Sequence, residues 1–407
     1  MTSVTSVTSA PFDTWHLVLL HAAAASHGAV CLDGSPPGYY IERGLSDRWM
    51  LHLQGGGWCT SLADCASRAK NPLGSSRTYA ADRDEVLAGY DGGAHGLFSN
   101  SSTVNPDFHN YTKVYIRYCD GGSFSGDAVA STADGPLYFR GRRILDAVLD
   151  DLKQQGLSGE LFVNGCSAGG LAVWLHLDYI AARLSGVRVL GIPECGFFMD
   201  LPTVGGQAKW TPLYKQVAAM QNATSPAGNL DADCLAAWPS EAWRCFMAQY
   251  TLPHVTTPFF AVNSVYDSWQ GVNILGLNSN CVSHDPAACS VKETAAFNGL
   301  RSAMLSNLSR SAKAYYTYNC ATHCGQFNHD ERWNMLDDGD FTLRERFTQW
   351  AKLGEDHHTD GATGWGPAAS ATCTGALPAA EKVRPRRYDW SQWPQPVESE
   401  VKMIESE

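Results

Sequence analysis

Leu161-Phe162-Val163-Asn164-Gly165-Cys166-Ser167-Ala168-Gly169-Gly170-Leu171-Ala172 is the stretch on which the fold turns. A strand-like run enters a Gly-x-Ser-x-Gly turn, and an apolar segment with helical spacing (Trp174, Leu175, Leu177, Ile180, Leu184) leaves it. Strand, glycine-flanked serine and helix in that order are what a nucleophile elbow requires. Such a turn is tight enough that its flanking positions accept little more than hydrogen as a side chain. The serine is lifted to the tip, where a substrate and a histidine can both reach its hydroxyl. The next N–H, that of Ala168, points to where negative charge would develop on an attacked carbonyl. A bare Gly-x-Ser-x-Gly is equally an ordinary glycine-rich turn, so residues elsewhere must decide between the two.

Outward from the elbow, strand patterns alternate with helical ones. Tyr39 to Ile41, Arg48 to Leu53, Lys113 to Cys119, Val187 to Ile192, Pro258 to Val265 and Ala314 to Tyr318 read as strands. From Gly141 to Gln155, Ile144, Leu145, Val148, Leu149 and Leu152 fall on one helical stripe, and Lys292 to Leu308 and Phe341 to Leu353 also read as helices. Asn71 to Pro106 reads as an irregular excursion, and Asp200 to Leu252, rich in Trp and Cys without a clean period, as an insertion or cap. The alternation predicts an α/β fold with a mostly parallel central sheet, helices on both faces and irregular insertions. One domain is expected over 29–354. It follows an N-terminal segment, 1–28, that opens in a disordered Thr/Ser/Val repeat, and it precedes an irregular tail, 355–407.

With 407 residues, 44% hydrophobic and 17% charged, the chain can bury a sizeable core. A formal net charge of -11 argues against nucleic acid as a partner. Thirteen cysteines without paired Cys-x-x-Cys units point to disulfides formed in an oxidising compartment, and the odd count leaves at least one thiol unpaired within the chain. Sequons at Asn100, Asn110, Asn222 and Asn307 suit a secreted glycoprotein. No signal peptide is evident, because the start lacks basic residues, and no run reaches membrane-spanning length. The expectation is a soluble secreted protein.

A serine at neutral pH needs a base, and the base needs an orienting acid. In sheets of this kind the three come in chain order serine, acid, histidine, at the carboxyl ends of strands. Asp267 follows the strand ending at Val265, and His323 follows the strand ending at Tyr318. An aspartate there is alone more often a turn residue or helix cap. His329, His284 and His254 are rival bases, of which only His329 also lies beyond the late strand. His323 stands between Cys320 and Cys324, yet no second ligand pair at zinc-binding spacing accompanies it, so no metal is expected. Gly55-Gly56-Gly57 after a strand lets backbone approach a substrate, so Gly57 and Trp58 join Ala168 as candidate oxyanion donors.

Six segments in one order resemble the pectin acetylesterase family, which also contains animal Notum. They are Cys31 to Ser35, Leu51 to Cys59, Arg117 to Asp127, Gly165 to Gly170, Tyr266 to Gln270, and His323-Cys324. The resemblance implies an α/β-hydrolase fold, secretion, no cofactor, and carboxylic ester hydrolysis by Ser167, Asp267 and His323, with Gly57, Trp58 and Ala168 as the oxyanion hole. It also implies an acetylated, pectin-like cell-wall polysaccharide as substrate, contacted by Trp269, Phe124 and Asp120. A Notum-like lipid-ester hydrolase is the alternative, and a non-catalytic glycan-binding protein a more distant one. The resemblance supports disulfides Cys31–Cys119 and Cys59–Cys65; Cys281 and Cys289 are then expected to pair with Cys320 and Cys324. Gln54, where the family usually has glutamate, and Pro193-Glu194-Cys195-Gly196 depart from its wording.

Overall fold

The computed structural model describes residues 15–80, 95–282, 286–312, 314–325, 327, 329–334, 341–353 and 357–359, all within one compact unit. Its centre is a sheet of nine strands: β1 His16–Leu19, β2 Gly38–Glu42, β3 Arg48–Leu53, β4 Thr112–Ile116, β7 Glu160–Cys166, β8 Arg188–Glu194, β9 Ala261–Ser264, β10 Tyr315–Tyr318 and β11 His357–Thr359. β5 Ala128–Thr132 and β6 Gly135–Phe139 form a separate antiparallel hairpin. The spatial order is β1-β2-β4-β3-β7-β8-β9-β10-β11. Neighbours pair in parallel from β4 through to β11, whereas β2 runs antiparallel to both β1 and β4.

The apolar runs are explained by burial on both faces. On β7, Leu161 and Val163 join one core cluster with the helices Gly141–Gln154 and Ala168–Arg183. Phe162, pointing the other way by the period of two, packs its ring 5.2 Å from Phe347 of the helix Leu343–Leu353. The stripe Ile144, Leu145, Val148, Leu149 and Leu152 is wholly buried. The helix Val291–Ser311 begins at a capping box of Ser290 and Glu293. No helix among the described residues is long and apolar enough to cross a membrane.

Several expectations are corrected. The strand expected over Lys113 to Cys119 stops at Ile116, because the Tyr118 N–H turns to the Gln54 side chain (2.9 Å) instead of the ladder. Residues 357–359, expected to be irregular, add β11 to the sheet edge, and residues 16–19 of the N-terminal segment supply β1. Both are too short for a side-chain period to reveal; their pairing uses backbone groups alone. Asp200 to Leu252 contains helices Thr211–Met220, Ala232–Ala237 and Ala248–Thr251, clipped by a Cys234–Cys245 disulfide.

Cys31–Cys119 and Cys59–Cys65 are bonded as expected. The clamp expected of Cys281 and Cys289 on the late loop does not form. These two pair with each other across a short loop, Cα atoms 4.6 Å apart, and Cys324 pairs instead with Cys166. Spacing alone cannot choose among such connectivities.

Candidate active site

Ser167 sits between β7 and the helix Ala168–Arg183 with φ 60° and ψ −125°, a conformation that non-glycine residues seldom adopt. Its N–H donates to the Glu194 carbonyl at the end of β8 (3.1 Å), and its own carbonyl starts the helix by accepting from Leu171 (2.8 Å). The flanking glycines are required by contact. A Cβ on Gly169 would lie 1.9 Å from the Leu53 carbonyl oxygen, and one on Gly165 would lie 2.5 Å from the Gly169 carbonyl oxygen. The turn therefore stays pressed against the end of β3.

His323 lies beyond β10 and reaches Ser167: Nε2 is 2.9 Å from Oγ. Its Nδ1 is 2.8 Å from Asp267 Oδ2, beyond β9. With Nδ1–H donating to the carboxylate, Nε2 is the lone-pair nitrogen facing the serine hydroxyl. Asp267 has no exposed surface, and its other oxygen accepts from the Gln270 N–H (2.9 Å), capping the helix Ser268–Asn273. It is thus helix cap and imidazole partner together, and the cap locks the carboxylate in place. His329 is exposed at the start of the helix Asp330–Trp333, and His254 ends the turn Leu252–His254; the imidazole on Ser167 is that of His323. His284 lies outside the described residues.

The triglycine turn passes beside the elbow, where a Cβ on Gly55 would lie 3.2 Å from that of Ser167. Gly57 has φ 64°. The N–H groups of Gly57, Trp58 and Ala168 donate to no group among the described residues. Ser123 joins their two segments: its Oγ accepts from Trp58 Nε1 (2.7 Å) and donates to the Ala168 carbonyl (2.8 Å). The Tyr118 hydroxyl donates to the Gly57 carbonyl (2.8 Å) and accepts from the Ser123 N–H (3.0 Å). Chemically the arrangement offers a hydroxyl and, at hydrogen-bond distance, an imidazole that can receive its proton.

The sequence pattern of the pectinacetylesterase family matches residues 9–363. The chain belongs to this family. Pectin acetylesterase 5 of Arabidopsis thaliana is 35% identical over 323 residues, covering 75% of this chain and 72% of the relative. Human palmitoleoyl-protein carboxylesterase Notum is 30% identical over 257 residues, covering 59% of this chain and 49% of its own. In fold the chain matches the Wnt deacylase Notum from Drosophila, with a TM-score of 0.72 at 24% identity over 86% of this chain and 97% of that one. As a member of the pectinacetylesterase family, the chain is a carboxylic ester hydrolase.

In this chain, two residues expected to touch substrate do not reach the surface. Asp120 and Phe124 are fully buried. Asp120 Oδ2 closes its own loop by accepting from the N–H groups of Gly122 (3.0 Å) and Phe124 (2.9 Å). Burial pushes its carboxyl up to about 7, against the opposing pull of those donors and of the Arg68 charge. The Phe124 ring packs 5.4 Å from Tyr118. Both shape the loop from beneath. Trp269 does stand at the site, its ring stacked 6.0 Å from that of His323. It belongs to a wall with Trp58, Phe198, Trp210 and Tyr214, whose ring centroids are 4.9 to 6.1 Å apart. Sequence reading missed Phe198, Trp210, Tyr214 and Ser123; the Trp-rich composition of the insertion was the only available sign of the wall.

One more cluster lies beside the base. Sulfur atoms of Cys195 and Cys324 and a ring nitrogen of His323 lie within 4.8 Å of one another. Cys324 is bonded to Cys166, and both His323 nitrogens face Ser167 and Asp267, so this donor set does not suit a cation.

Proposed function

We propose that this pectinacetylesterase removes acetyl groups from a pectin-like cell-wall polysaccharide by a two-step acyl-enzyme mechanism. His323 Nε2 takes the Ser167 proton as Oγ attacks the ester carbonyl. Gly57, Trp58 and Ala168 N–H groups hold the tetrahedral oxyanion, each such donor contributing about 10²–10³ in rate. His323 returns the proton to the departing sugar hydroxyl, and water then repeats the sequence on the acetyl-serine. Asp267 fixes the imidazole tautomer and balances its transient charge. The observation that carries this reading is the continuous Ser167–His323–Asp267 chain, 2.9 and 2.8 Å, at a strained elbow.

The aromatic wall supports a small acyl group. Its rings pack edge to face or tilted with centroids 4.9 to 6.1 Å apart, an arrangement that fills the space beside His323 with aromatic side chains. The half-buried Trp269 and Trp210 offer faces on which a sugar ring can stack. Five disulfides among the described residues suit secretion into an oxidising compartment.

The test is turnover of p-nitrophenyl esters of graded length. A fitting acyl tunnel would add about 0.8 kcal/mol per buried methylene, hence about 5 kcal/mol and over three powers of ten from acetyl to octanoyl. We expect kcat/KM to fall from acetate onwards. A steady rise to octanoate replaces this reading with the lipid-ester hydrolysis named for the Notum relatives. Ester turnover abolished by phenylmethylsulfonyl fluoride separates both from a purely glycan-binding role.

A further inference from the structure

We propose that the Cys166–Cys324 disulfide is a positioning element that sets the distance between nucleophile and base, an inference that rests on Ser167 and His323 acting as described above. Cys166 immediately precedes Ser167, Cys324 immediately follows His323, and the bridge joins them across 158 positions of sequence with Cα atoms 6.0 Å apart. The two sides differ in how else they are held. Ser167 is gripped by the β7 ladder and by the helix that begins after it. His323 stands in a loop after the four-residue β10, and this loop turns through left-handed conformations at Cys324 (φ 68°) and Gly325 (φ 97°).

Upstream of His323 the loop is anchored at Cys320, which is disulfide-bonded and whose carbonyl accepts from the Ser264 hydroxyl; nearer the imidazole, the hydrogen bonds among the described residues are longer. The Ser268 N–H donates to the Thr322 carbonyl at 3.3 Å, and the Arg332 guanidinium donates to the Cys324 carbonyl at 3.1 Å. The Cys324 N–H donates to the thiol sulfur of Cys195 at 3.2 Å, a weak acceptor. Cys195 is free and fully buried, and burial holds its thiol well above the usual range. It therefore stays protonated and does not attack the adjacent disulfide at neutral pH. The Cys166–Cys324 bridge thus ties the rigid elbow covalently to the residue beside the base. A shift of about 1 Å between reacting groups costs on the order of 10²-fold in rate.

The test compares Cys166→Ala/Cys324→Ala with Cys234→Ala/Cys245→Ala, which removes a disulfide of the insertion. Turnover of p-nitrophenyl acetate is scaled to the folded fraction read by near-ultraviolet circular dichroism. Opening the Cys166–Cys324 bridge is expected to lower kcat by about ten- to a hundredfold with KM within about twofold, while the insertion variant keeps its kcat. General destabilisation would not split kcat from KM in this way. An unchanged kcat in the folded variant, or an equal loss in the insertion variant, overturns the proposal while the hydrolase reading stands. Should the variant not fold, the native chain is titrated with reductant, activity is read, and thiols are then alkylated and mapped. Cys166 and Cys324 found reduced with kcat intact overturn the proposal. A native chain without ester turnover removes the hydrolase reading and the positioning role with it.

Discussion

Ser123→Ala cuts the link between the triglycine turn and the elbow helix. Ser123 is fully buried, and its hydroxyl serves Trp58 Nε1 at 2.7 Å and the Ala168 carbonyl at 2.8 Å. The Ala168 carbonyl lies in the first turn of its helix and keeps its helical hydrogen bond, so its loss is small. The indole N–H of Trp58, a residue only 7% exposed, is left without a partner. Two lost hydrogen bonds and one orphaned buried donor amount to about 2–3 kcal/mol of stability. A second variant separates backbone from side chain. Ser123 has φ 54°, so Ser123→Gly loses the same bonds but recovers about 1 kcal/mol of left-handed strain. In a Trp58→Phe background no N–H remains to be orphaned, and Ser123→Ala should there cost only about 1 kcal/mol. Because the indole bond helps to fix the Trp58 segment, whose backbone N–H is a proposed oxyanion donor, kcat should fall by about ten- to a hundredfold, short of the loss of a whole donor. Urea unfolding gives the stabilities and p-nitrophenyl acetate hydrolysis the rates. Ser123→Ala within about 0.5 kcal/mol of the native chain and with unchanged kcat would refute the bridging role.

Ser167→Ala and His323→Ala should each abolish hydrolysis with the unfolding midpoint little changed, whereas His329→Ala should retain it; hydrolysis lost with His329 but not His323 would reassign the base. Trp269→Ala should open the wall and raise the butanoate-to-acetate ratio of kcat/KM about tenfold, since two methylenes are worth about 1.6 kcal/mol. The third expectation concerns pH. Asp120, raised from 3.8 to about 7, holds in the folded state a proton that the unfolded state lacks, so its contribution is present at low pH and is lost as pH rises. His176, lowered by burial from 6.5 to about 4, contributes above 6.5 and loses that contribution as pH falls. Between about 4 and 6.5 the two slopes oppose each other, so Asp120→Asn should steepen the rise of stability with pH by about 1.4 kcal/mol per unit relative to the native chain. Denaturant titrations across that window check it, and equal slopes would show that Asp120 is ionised.

The sequence made the strand ends legible, and with them Ser167, Asp267 and His323, because each follows an apolar run that can only be a buried strand. The stripe from Ile144 to Leu152 was legible for the same reason: period reports burial. What did not show was anything decided by contacts distant in sequence. Nothing in the Ser123 neighbourhood distinguishes a serine that ties two segments from one that caps a turn. Cys166 has no local feature that selects Cys324 from the other cysteines. Asp120 and Phe124 sit in a segment that the family resemblance places at the substrate, but a resemblance does not say which way a side chain turns; the aspartate turns inward, where it accepts from the N–H groups of Gly122 and Phe124. Gln54 looked like a departure from family wording, and in the folded chain it terminates β4.

The sheet's two outermost strands, β1 and β11, come from outside the 29–354 stretch. Each is only three or four residues long, yet each covers a row of backbone donors and acceptors on its inner neighbour. A chain shortened to 29–354 would bare the flank of β10, whose Tyr-Tyr-Thr-Tyr sequence favours extended pairing, and the flank of β2 on the far side. Two such raw margins invite copies to stack edge to edge. The end strands thus act as guards against self-association: shortened chains should sediment as aggregates even where the ester-hydrolysing centre, several strands inward, is still whole.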